Sequence, residues 1–232
     1  MDRMQKMDVF ELVDLPTDRK LIGVQWVYKL KLDAQRHTTQ YKARLVAQGY
    51  TQRPSLDYDQ TFSPVVCLQT VHILLALAHQ YRLHIAQLDM STTFLNGKND
   101  KVVHVRIPPT FETPKNNRKY YHLKKALYGL KQAGHLWHTA LNEQLKAFGF
   151  KRCRAEPCIY VQGIKDTMVI LAVYVDGLLV IGATSSRVKS TRCCTSSLDR
   201  MRPHSGRCRT LVYISSRELE APATFLSHVN VV

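Results

Sequence analysis

Between residues 21 and 50, apolar and polar positions alternate in two stretches that a short polar segment separates. The first stretch covers residues 21–32 and the second covers residues 40–50, with residues 33–39 between them. A period of two is typical of strands, and two such strands joined by a short polar segment form an antiparallel hairpin. The pattern therefore predicts a hairpin near the start of the chain.

Two later segments carry apolar residues at helical spacing. In residues 69–81 and again in residues 133–148, apolar side chains recur every three or four positions. Gly149 follows the second segment, and a glycine commonly ends a helix because it accepts a left-handed backbone. The pattern predicts two helices.

Short apolar runs predict the remaining strands, and two of these runs lead to an aspartate. Residues 84–89 end at Asp89, and residues 167–175 lead into Asp176-Gly177, after which an apolar run continues to residue 182. An Asp-Gly pair between two apolar strands is typical of a tight hairpin, because glycine accepts the positive φ of a type I′ turn. Two shorter strands are predicted at residues 102–106 and 159–162.

Asp89 and Asp176 also admit a chemical interpretation. Two carboxylates on neighbouring strand ends could share divalent metal ions, and two metals about 4 Å apart stabilise both oxygens of an in-line phosphoryl displacement. A strand-end cap for Asp89 and a hairpin turn for Asp176 are the structural alternatives. Spacing alone favours these alternatives over a metal site.

Composition favours a polyanionic partner. The chain has 232 residues, 45% of them hydrophobic, with a net charge of +15 and a pI near 9.7. This charge favours nucleic acid through phosphate contacts, although an acidic membrane surface would fit it as well. No run of about 18 apolar residues and no signal-peptide pattern is present, so we expect an intracellular protein, cytoplasmic or nuclear, without a membrane partner. The six cysteines lack zinc-ligand spacing, so we expect reduced structural thiols.

Composition changes after residue 182. Residues 183–232 contain a single lysine and seven arginines, with half of the cysteines and clusters of Ser and Thr. Helical periodicity is hard to find there, and residues 210–214 are the one predicted strand. We interpret residues 183–232 as a divergent Arg/Ser/Cys-rich tail, frameshifted near residues 188–194 or disordered, with a genuine binding tail as the alternative. Residues 1–20 are interpreted as a polar, loosely held N-terminal segment.

Seven blocks between residues 23 and 182 match a known family in order and in spacing. Any one block would be a weak signal, but together they are highly specific. The chain resembles the reverse transcriptase domain of copia-type LTR retrotransposon polyproteins, as a truncated and degenerate copy. The blocks are WVYK (26–29), YKARLVAQG (41–49), DYD with TFSPVV (57–66), QLD with FLNG (87–97), LKKALYGLKQA (123–133), Trp137 and YVD (174–176).

The resemblance implies a right-hand polymerase fold of the α+β class, in which an antiparallel sheet packs against helices. It places fingers and palm in residues 21–182, with the thumb, ribonuclease H and integrase absent. It also implies an RNA-directed DNA polymerase that adds deoxynucleotides to a primer 3′-hydroxyl on an RNA or DNA template. The implied cofactor is a pair of Mg²⁺ ions, with Mn²⁺ as a substitute, since carboxylate and phosphate oxygens suit these ions.

Catalytic and metal-binding positions follow from the same resemblance. Asp89 falls on the family's first metal-binding aspartate, and the backbone carbonyl of Met90 beside it is a further implied metal ligand. Asp176 falls on the first aspartate of the family's Tyr-x-Asp-Asp turn. Asp89 and Asp176 are therefore the implied catalytic residues.

Nucleotide-binding positions are implied as well. Phe94 falls where reverse transcriptases place an aromatic residue against the sugar, which excludes a 2′-hydroxyl. Lys42 and Arg44 lie two apart on one strand face and are implied to neutralise the incoming triphosphate. Tyr128-Gly129 is implied to contact the template or the nascent base pair. The structural alternatives are core packing for Phe94, a solvated hairpin face for the two cations and a helix-end turn for Tyr128-Gly129.

Departures from the family pattern put catalysis in question. Gly177 stands where the family's turn has its second aspartate, and Gly134-His135 replaces the usual Pro-Arg. The family's Asp-Leu-Gly-Glu sequence is missing after residue 182. Losing one of three carboxylates weakens charge neutralisation at the metal site. The second hypothesis is therefore a catalytically inactive fragment that retains nucleic-acid binding or no function.

Overall fold

A computed structural model gives the fold and describes residues 1–14, 20–90, 92–116, 118–198 and 209–214. Every pairing between its strands is antiparallel, which confirms an α+β class with antiparallel sheets.

The α-helices are α1 (Asp2–Lys6), α2 (Leu68–Gln80), α3 (Ala133–Ala147) and α4 (Ser185–Leu198). The strands are β1 (Phe10–Asp14), β2 (Val24–Leu32), β3 (Thr38–Ala47), β4 (His84–Asp89), β5 (His104–Val105), β6 (Lys119–Leu123), β7 (Lys151–Arg152), β8 (Ile159–Gln162), β9 (Val169–Tyr174), β10 (Gly177–Gly182) and β11 (Arg209–Ile214). Short 3₁₀ helices lie at Gly49–Thr51, Thr93–Asn96, Pro109–Phe111, Pro114–Asn116 and Lys165–Thr167.

The chain divides into two compact units. Unit 1 comprises Met1–Ser63 and Thr92–Ala140, and unit 2 comprises Pro64–Ser91 and Leu141–Val232. Each unit is therefore assembled from two separate stretches of sequence. The aspartates singled out above both belong to unit 2, whereas the basic and aromatic candidates belong to unit 1.

Unit 1 contains a three-stranded sheet, in the order β1-β6-β5, and a separate hairpin of β2 and β3. The hairpin confirms the prediction for residues 21–50, and β5 confirms the short strand predicted at residues 102–106. Asp33 closes the hairpin turn, because its carboxylate accepts the His37 N–H at 2.8 Å and its own N–H donates to the His37 carbonyl at 2.9 Å. A hydrophobic core that includes Leu45, Leu123 and Leu127 fills the unit.

The N-terminal residues are packed, which corrects the expectation of a loosely held segment. Met4, Met7 and Val9 are buried in the core of unit 1. β1 pairs with β6 from Phe10↔Leu123 to Asp14↔Lys119. The sequence pattern missed both strands, because β1 is mostly exposed and β6 directly follows a polar loop. Residues 15–19 of the predicted segment lie outside the described residues.

Unit 2 is built on a six-stranded antiparallel sheet in the order β11-β4-β10-β9-β8-β7. The strands predicted at residues 84–89, 159–162 and 167–175 are confirmed as β4, β8 and β9, and the returning run is β10. β10 lies between β4 and β9, so both of its edges are paired. Its buried residues Leu178, Val180 and Ile181 explain why the run is almost continuously apolar.

Both predicted helices are present, and α2 and α3 match their predicted bounds to within one residue. Gly149 ends α3 as predicted, with φ at +83° and its N–H donating to the Lys146 carbonyl at 2.9 Å. The next amide, that of Phe150, donates to the Leu145 carbonyl at 2.9 Å. In the described part of the chain, no helix has the length and hydrophobicity needed to cross a membrane.

The segment after residue 182 contains a helix and a strand. β11 confirms the strand predicted at residues 210–214 and pairs with β4 from Arg209↔Asp89 to Ile214↔Ile85. α4 was not predicted, because its polar sequence lacks a clear apolar stripe. It contacts β10, β4 and β9, and Val188 and Thr191 on it are buried. Packing on the sheet therefore stabilises a helix that the local sequence pattern does not predict. The frameshift interpretation of this segment stays a prediction.

Burial and hydrogen bonding give two thiols of unit 2 different reactivity. Burial raises the pKa of Cys158 to about 11, whereas the hydrogen bond with the Thr70 hydroxyl lowers the pKa of the exposed Cys67. Because the thiolate is the nucleophile, we expect iodoacetamide at mildly alkaline pH to alkylate Cys67 well before Cys158. Peptide mass spectrometry over a time course measures the order. After denaturation in urea, the two cysteines should react at equal rates. Equal rates in the native chain would contradict the burial of Cys158.

Candidate active site

In unit 2, the pairing of β4 with β10 brings the two predicted catalytic aspartates to the same end of the sheet. Asp89, the last residue of β4, lies directly opposite Gly177, the first residue of β10. The next residue, Met90, donates its backbone N–H to the carbonyl oxygen of Asp176 at 2.8 Å. The structure therefore places Asp89, Met90 and Asp176 side by side. Met90 is buried.

The hairpin turn differs from the predicted one. Tyr174 of β9 pairs with Gly177 of β10, so the two turn residues are Val175 and Asp176. Val175 has φ at +54°, and neither Asp176 nor Gly177 has a positive φ. The expectation that Gly177 supplies the left-handed turn conformation is therefore wrong. A β-branched residue in that region is strained, and such strain commonly marks functional turns.

Gly177 is not required by the backbone. A Cβ added there would lie 3.4 Å from the nearest atom, the carbonyl oxygen of Tyr174, which is an ordinary contact distance. The backbone and its surroundings therefore do not demand a glycine at this position. Because directly opposed residues project from the same side of a sheet, a side chain at position 177 would stand beside that of Asp89.

The groups at this strand end fit a hydrated divalent cation. Asp176 is exposed and Asp89 is partly exposed, so solvent reaches both residues. Carboxylate oxygens completed by water and phosphate oxygens are the ligands that Mg²⁺ prefers. No three His, Cys, Asp or Glu side chains in the described ranges gather closely enough to hold a metal. The protein thus offers two carboxylates, one fewer than the family pattern.

In unit 1, Phe94, Tyr128 and Arg44 form one contact cluster. The rings of Phe94 and Tyr128 meet edge to face, with their centroids 4.9 Å apart. The guanidinium carbon of Arg44 lies 5.8 Å from the centroid of the Tyr128 ring, within the range of a cation–π contact. Three of the predicted nucleotide-binding residues are therefore in direct contact, although they come from distant parts of the sequence.

The hairpin of β2 and β3 has two chemically different faces. Opposed residues of antiparallel strands share a face, and successive residues alternate between faces. The pairs Val27↔Arg44 and Lys29↔Lys42 therefore place Lys42 and Arg44 on one face together with Lys29. The two-residue spacing predicted this shared face. We call it the basic face; the opposite side is the apolar face.

Tyr128-Gly129 is a backbone junction and not the end of a helix. The Tyr128 carbonyl accepts the Ala47 N–H at 2.7 Å, which fixes the junction to the end of β3. Gly129 has φ at +88°, and a Cβ there would overlap the Ala47 carbonyl oxygen. A Cβ on Gly49 would in turn overlap the carbonyl oxygen of Gly129. Both glycines are therefore needed for two backbone segments to approach closely.

A buried amide network in unit 1 was not predicted from the sequence. Gln52 Nε2 donates to Gln132 Oε1 at 3.0 Å, and both side chains are buried. The Lys131 N–H donates to Gln52 Oε1 at 2.8 Å, and Gln132 Nε2 donates to the Asp57 carbonyl at 3.1 Å. The network ties the loop after β3 to the segment that carries Tyr128. The only sequence signal for it was that Gln132 lies within one of the matching blocks.

An antiparallel α+β fold, a carboxylate pair at a strand end and a basic, aromatic cluster are features of the class of nucleic-acid polymerases. A family model described as reverse transcriptase (RNA-dependent DNA polymerase) matches residues 7–201. The chain belongs to this reverse transcriptase family, in the branch found in copia-type retrotransposon Pol polyproteins. The match includes β1 and α4, two elements that the sequence pattern missed.

Similar proteins are Pol polyproteins of transposons. The retrovirus-related Pol polyprotein from transposon TNT 1-94 of Nicotiana tabacum is 34% identical over 183 residues, which are 78% of this chain and 14% of that protein. The retrovirus-related Pol polyprotein from transposon RE1 of Arabidopsis thaliana is 35% identical over 176 residues, which are 76% of this chain and 12% of that protein. The transposon Ty1-ER2 Gag-Pol polyprotein of Saccharomyces cerevisiae is 30% identical over 168 residues, which are 70% of this chain and 9% of that protein. The chain thus spans 14% or less of the length of these relatives.

The two glycines of the site make a matched pair for testing the geometry. We expect Gly129→Ala to lower the free energy of unfolding by about 3 kcal/mol, because it adds both backbone strain and a steric overlap. Gly177→Ala should change it by less than about 1 kcal/mol, because φ at Gly177 is not positive and the added Cβ would meet the Tyr174 carbonyl oxygen at an ordinary contact distance. Urea denaturation followed by circular dichroism measures both. Equal stability of the two variants would contradict the close approach at Gly129.

Proposed function

We propose that this chain is the fingers and palm part of a copia-type reverse transcriptase, with unit 1 as the fingers and unit 2 as the palm. In the proposed reaction, a primer 3′-hydroxyl attacks the α-phosphate of a deoxynucleoside triphosphate on an RNA or DNA template, and pyrophosphate leaves. The observation that carries the proposal is the β4–β10 register, which sets Asp89 beside the turn that contains Asp176. Membership of the family supports the class of substrate.

Asp89 and Asp176 are the proposed catalytic residues and metal ligands of unit 2. Two Mg²⁺ ions, when bound, would lower the pKa of the attacking hydroxyl and stabilise charge on the leaving oxygen. The two carboxylates would hold and orient these ions, with the Met90 backbone carbonyl as a further donor. The hydrogen bond from the Met90 N–H to the Asp176 carbonyl joins the two strand ends that carry these groups.

Unit 1 carries the groups that we assign to the nucleotide. Lys42 and Arg44 on the basic face neutralise the triphosphate, and Phe94 excludes a ribose 2′-hydroxyl. The Tyr128 ring meets the Phe94 ring edge to face and lies under the Arg44 guanidinium, so Tyr128 links these two side chains. Tyr128-Gly129 would contact the template or the nascent base pair.

Gly177 weakens the proposed metal site. Residues directly opposed in an antiparallel pair have Cβ atoms about 5 Å apart, so an aspartate at position 177 would share its ions with Asp89. Two Mg²⁺ ions carry four positive charges, and the chain offers only two carboxylates against them. We therefore expect the chain to bind divalent ions weakly and to extend primers far more slowly than a chain with an aspartate at position 177. A nucleic-acid-binding fragment without catalysis is the second candidate function, and Gly177 together with the net charge of +15 favours it.

Restoring the carboxylate tests the proposal directly. We expect Gly177→Asp to raise template-directed incorporation at least about a hundredfold over the unchanged chain, because electrostatic groups at the transition state contribute on this scale. The measurement is extension of a labelled primer on an RNA template with Mg²⁺ and deoxynucleotides. Gly177→Asn, of the same size but uncharged, is the matched control and should gain nothing.

A second substitution checks where the gain arises. In the Gly177→Asp chain, Asp89→Asn should abolish incorporation again. An unchanged chain that extends primers as fast as Gly177→Asp would contradict the role assigned to the glycine. Failure of every variant to extend, with primer-template affinity that falls steeply with salt, would leave the non-catalytic fragment as the function.

A further inference from the structure

We propose that a cavity in unit 1 binds a small oligophosphate, either inorganic or carried on a nucleoside. The cavity lies beside the segment that leads into β2, and neither Lys42 nor Arg44 lines it. It is therefore distinct from the groups assigned above to the incoming triphosphate. The proposal goes beyond the proposed function and does not depend on it.

Hydrogen bonds within the fold hold the walls of this cavity. Its volume is about 630 Å³, within the range of small-molecule sites. On one side, the N–H of the lining residue Arg106 donates to the Ile22 carbonyl at 3.1 Å. On the other side, Asn116 Oδ1 accepts the Thr113 N–H at 2.6 Å, and Asn116 Nδ2 donates to the Phe111 carbonyl at 2.9 Å. The cavity therefore exists without a ligand.

Three cationic residues line the cavity, against a single acidic one. Arg106, Arg118 and Lys119 are exposed, and Glu112 is the acidic residue of the lining. Among the residues that the structure describes, none forms an ion pair with these three cations. This holds even for Asp14, which lies directly opposite Lys119 in the β1–β6 ladder. The positive charge of the cavity is therefore available to an anion.

The kind of cation indicates which anion fits best. Two of the three are arginines, whose planar guanidinium groups match the geometry of phosphate oxygens and can bind them in pairs. Several cations around one cavity favour a ligand with several charges close together, because each charge pair adds to the attraction. A concave site also suits a compact ligand better than a duplex, whose phosphates lie on a convex surface. An oligophosphate satisfies all three conditions.

Apolar and aromatic residues complete the lining. Ile107 is buried, whereas Leu21 and Tyr120 are partly exposed. Small-molecule sites commonly combine such apolar walls with a few charged groups that orient the ligand. A nucleoside attached to the phosphates could bury its base against these walls. We therefore expect a nucleoside triphosphate to bind more tightly than inorganic triphosphate.

The test is isothermal titration calorimetry with the full 232-residue chain, in EDTA and at low salt, with ATP and with inorganic triphosphate. Every chain carries Lys42→Gln/Arg44→Gln, which removes the cations assigned above to the incoming triphosphate. Adding Arg106→Gln/Arg118→Gln should weaken binding of both ligands about tenfold or more, because two charge-assisted contacts are lost. Adding Lys151→Gln/Arg152→Gln instead removes the same charge from unit 2 and should leave both affinities unchanged.

A substitution with the opposite effect excludes unfolding as the cause. Glu112→Gln removes the acidic residue of the lining, and we expect it to tighten binding of both ligands about threefold. Tighter binding cannot result from loss of the fold. Higher affinity for ATP than for inorganic triphosphate would support contact between the base and the apolar walls, and equal affinities would support a purely phosphate-binding site.

Three results would overturn the proposal. The first is a Lys42→Gln/Arg44→Gln chain that binds neither ligand, since the phosphates would then belong to the nucleotide site. The second is equal weakening by the substitutions in the cavity and in unit 2, since net charge alone would then explain binding. The third is a cavity variant that loses affinity only for a 20-nucleotide oligo(dT), since the occupant would then be a nucleic-acid strand. The assay contains neither metal nor primer, so failure of primer extension by Gly177→Asp leaves its outcome unaffected.

Discussion

Strand β10 pairs with β4 along one edge and with β9 along the other, and the position of each acidic group at the site follows from these two ladders. The register sets Gly177 opposite Asp89, and the Met90 amide then reaches the Asp176 carbonyl. A slip of one residue would turn every side chain of β10 to the other face and expose its buried leucine and valine positions. The same register of β10 therefore determines both the hydrophobic core of unit 2 and the placement of the acidic residues at its end.

Unit 1 depends on a different constraint, the close approach of two backbone segments at Gly49 and Gly129. That approach lets the Ala47 amide hold the Tyr128 carbonyl, and the tyrosine ring then contacts both Phe94 and Arg44. The buried amide pair on the same junction resists separation, since an unpaired buried amide is costly. The basic and aromatic groups of the unit are thus positioned by backbone packing more than by contacts between their own side chains.

The sequence patterns predicted most of unit 2 and the hairpin of unit 1, because apolar runs and strict alternation are local signals. They missed β1, β6 and α4, because these elements are stabilised by contacts with residues distant in the sequence. The turn at Asp176 was assigned to the wrong pair, because Asp-Gly is the common hairpin signal, whereas here Val175 takes the positive φ that no local rule would give it. Resemblance to the family identified the candidate aspartates, but only the register showed that position 177 lies beside Asp89 with room for a side chain.

We propose that Asp89 and Asp176 form one cation site although Gly177 stands where the family pattern has a third carboxylate. Binding of Mn²⁺, followed by electron paramagnetic resonance during a titration, tests this claim without requiring catalysis. We expect the unchanged chain to bind Mn²⁺ weakly, and this binding should be lost both in Asp89→Asn and in Asp176→Asn. Mn²⁺ binding that survives both substitutions, or that is lost in only one of them, would contradict a shared site.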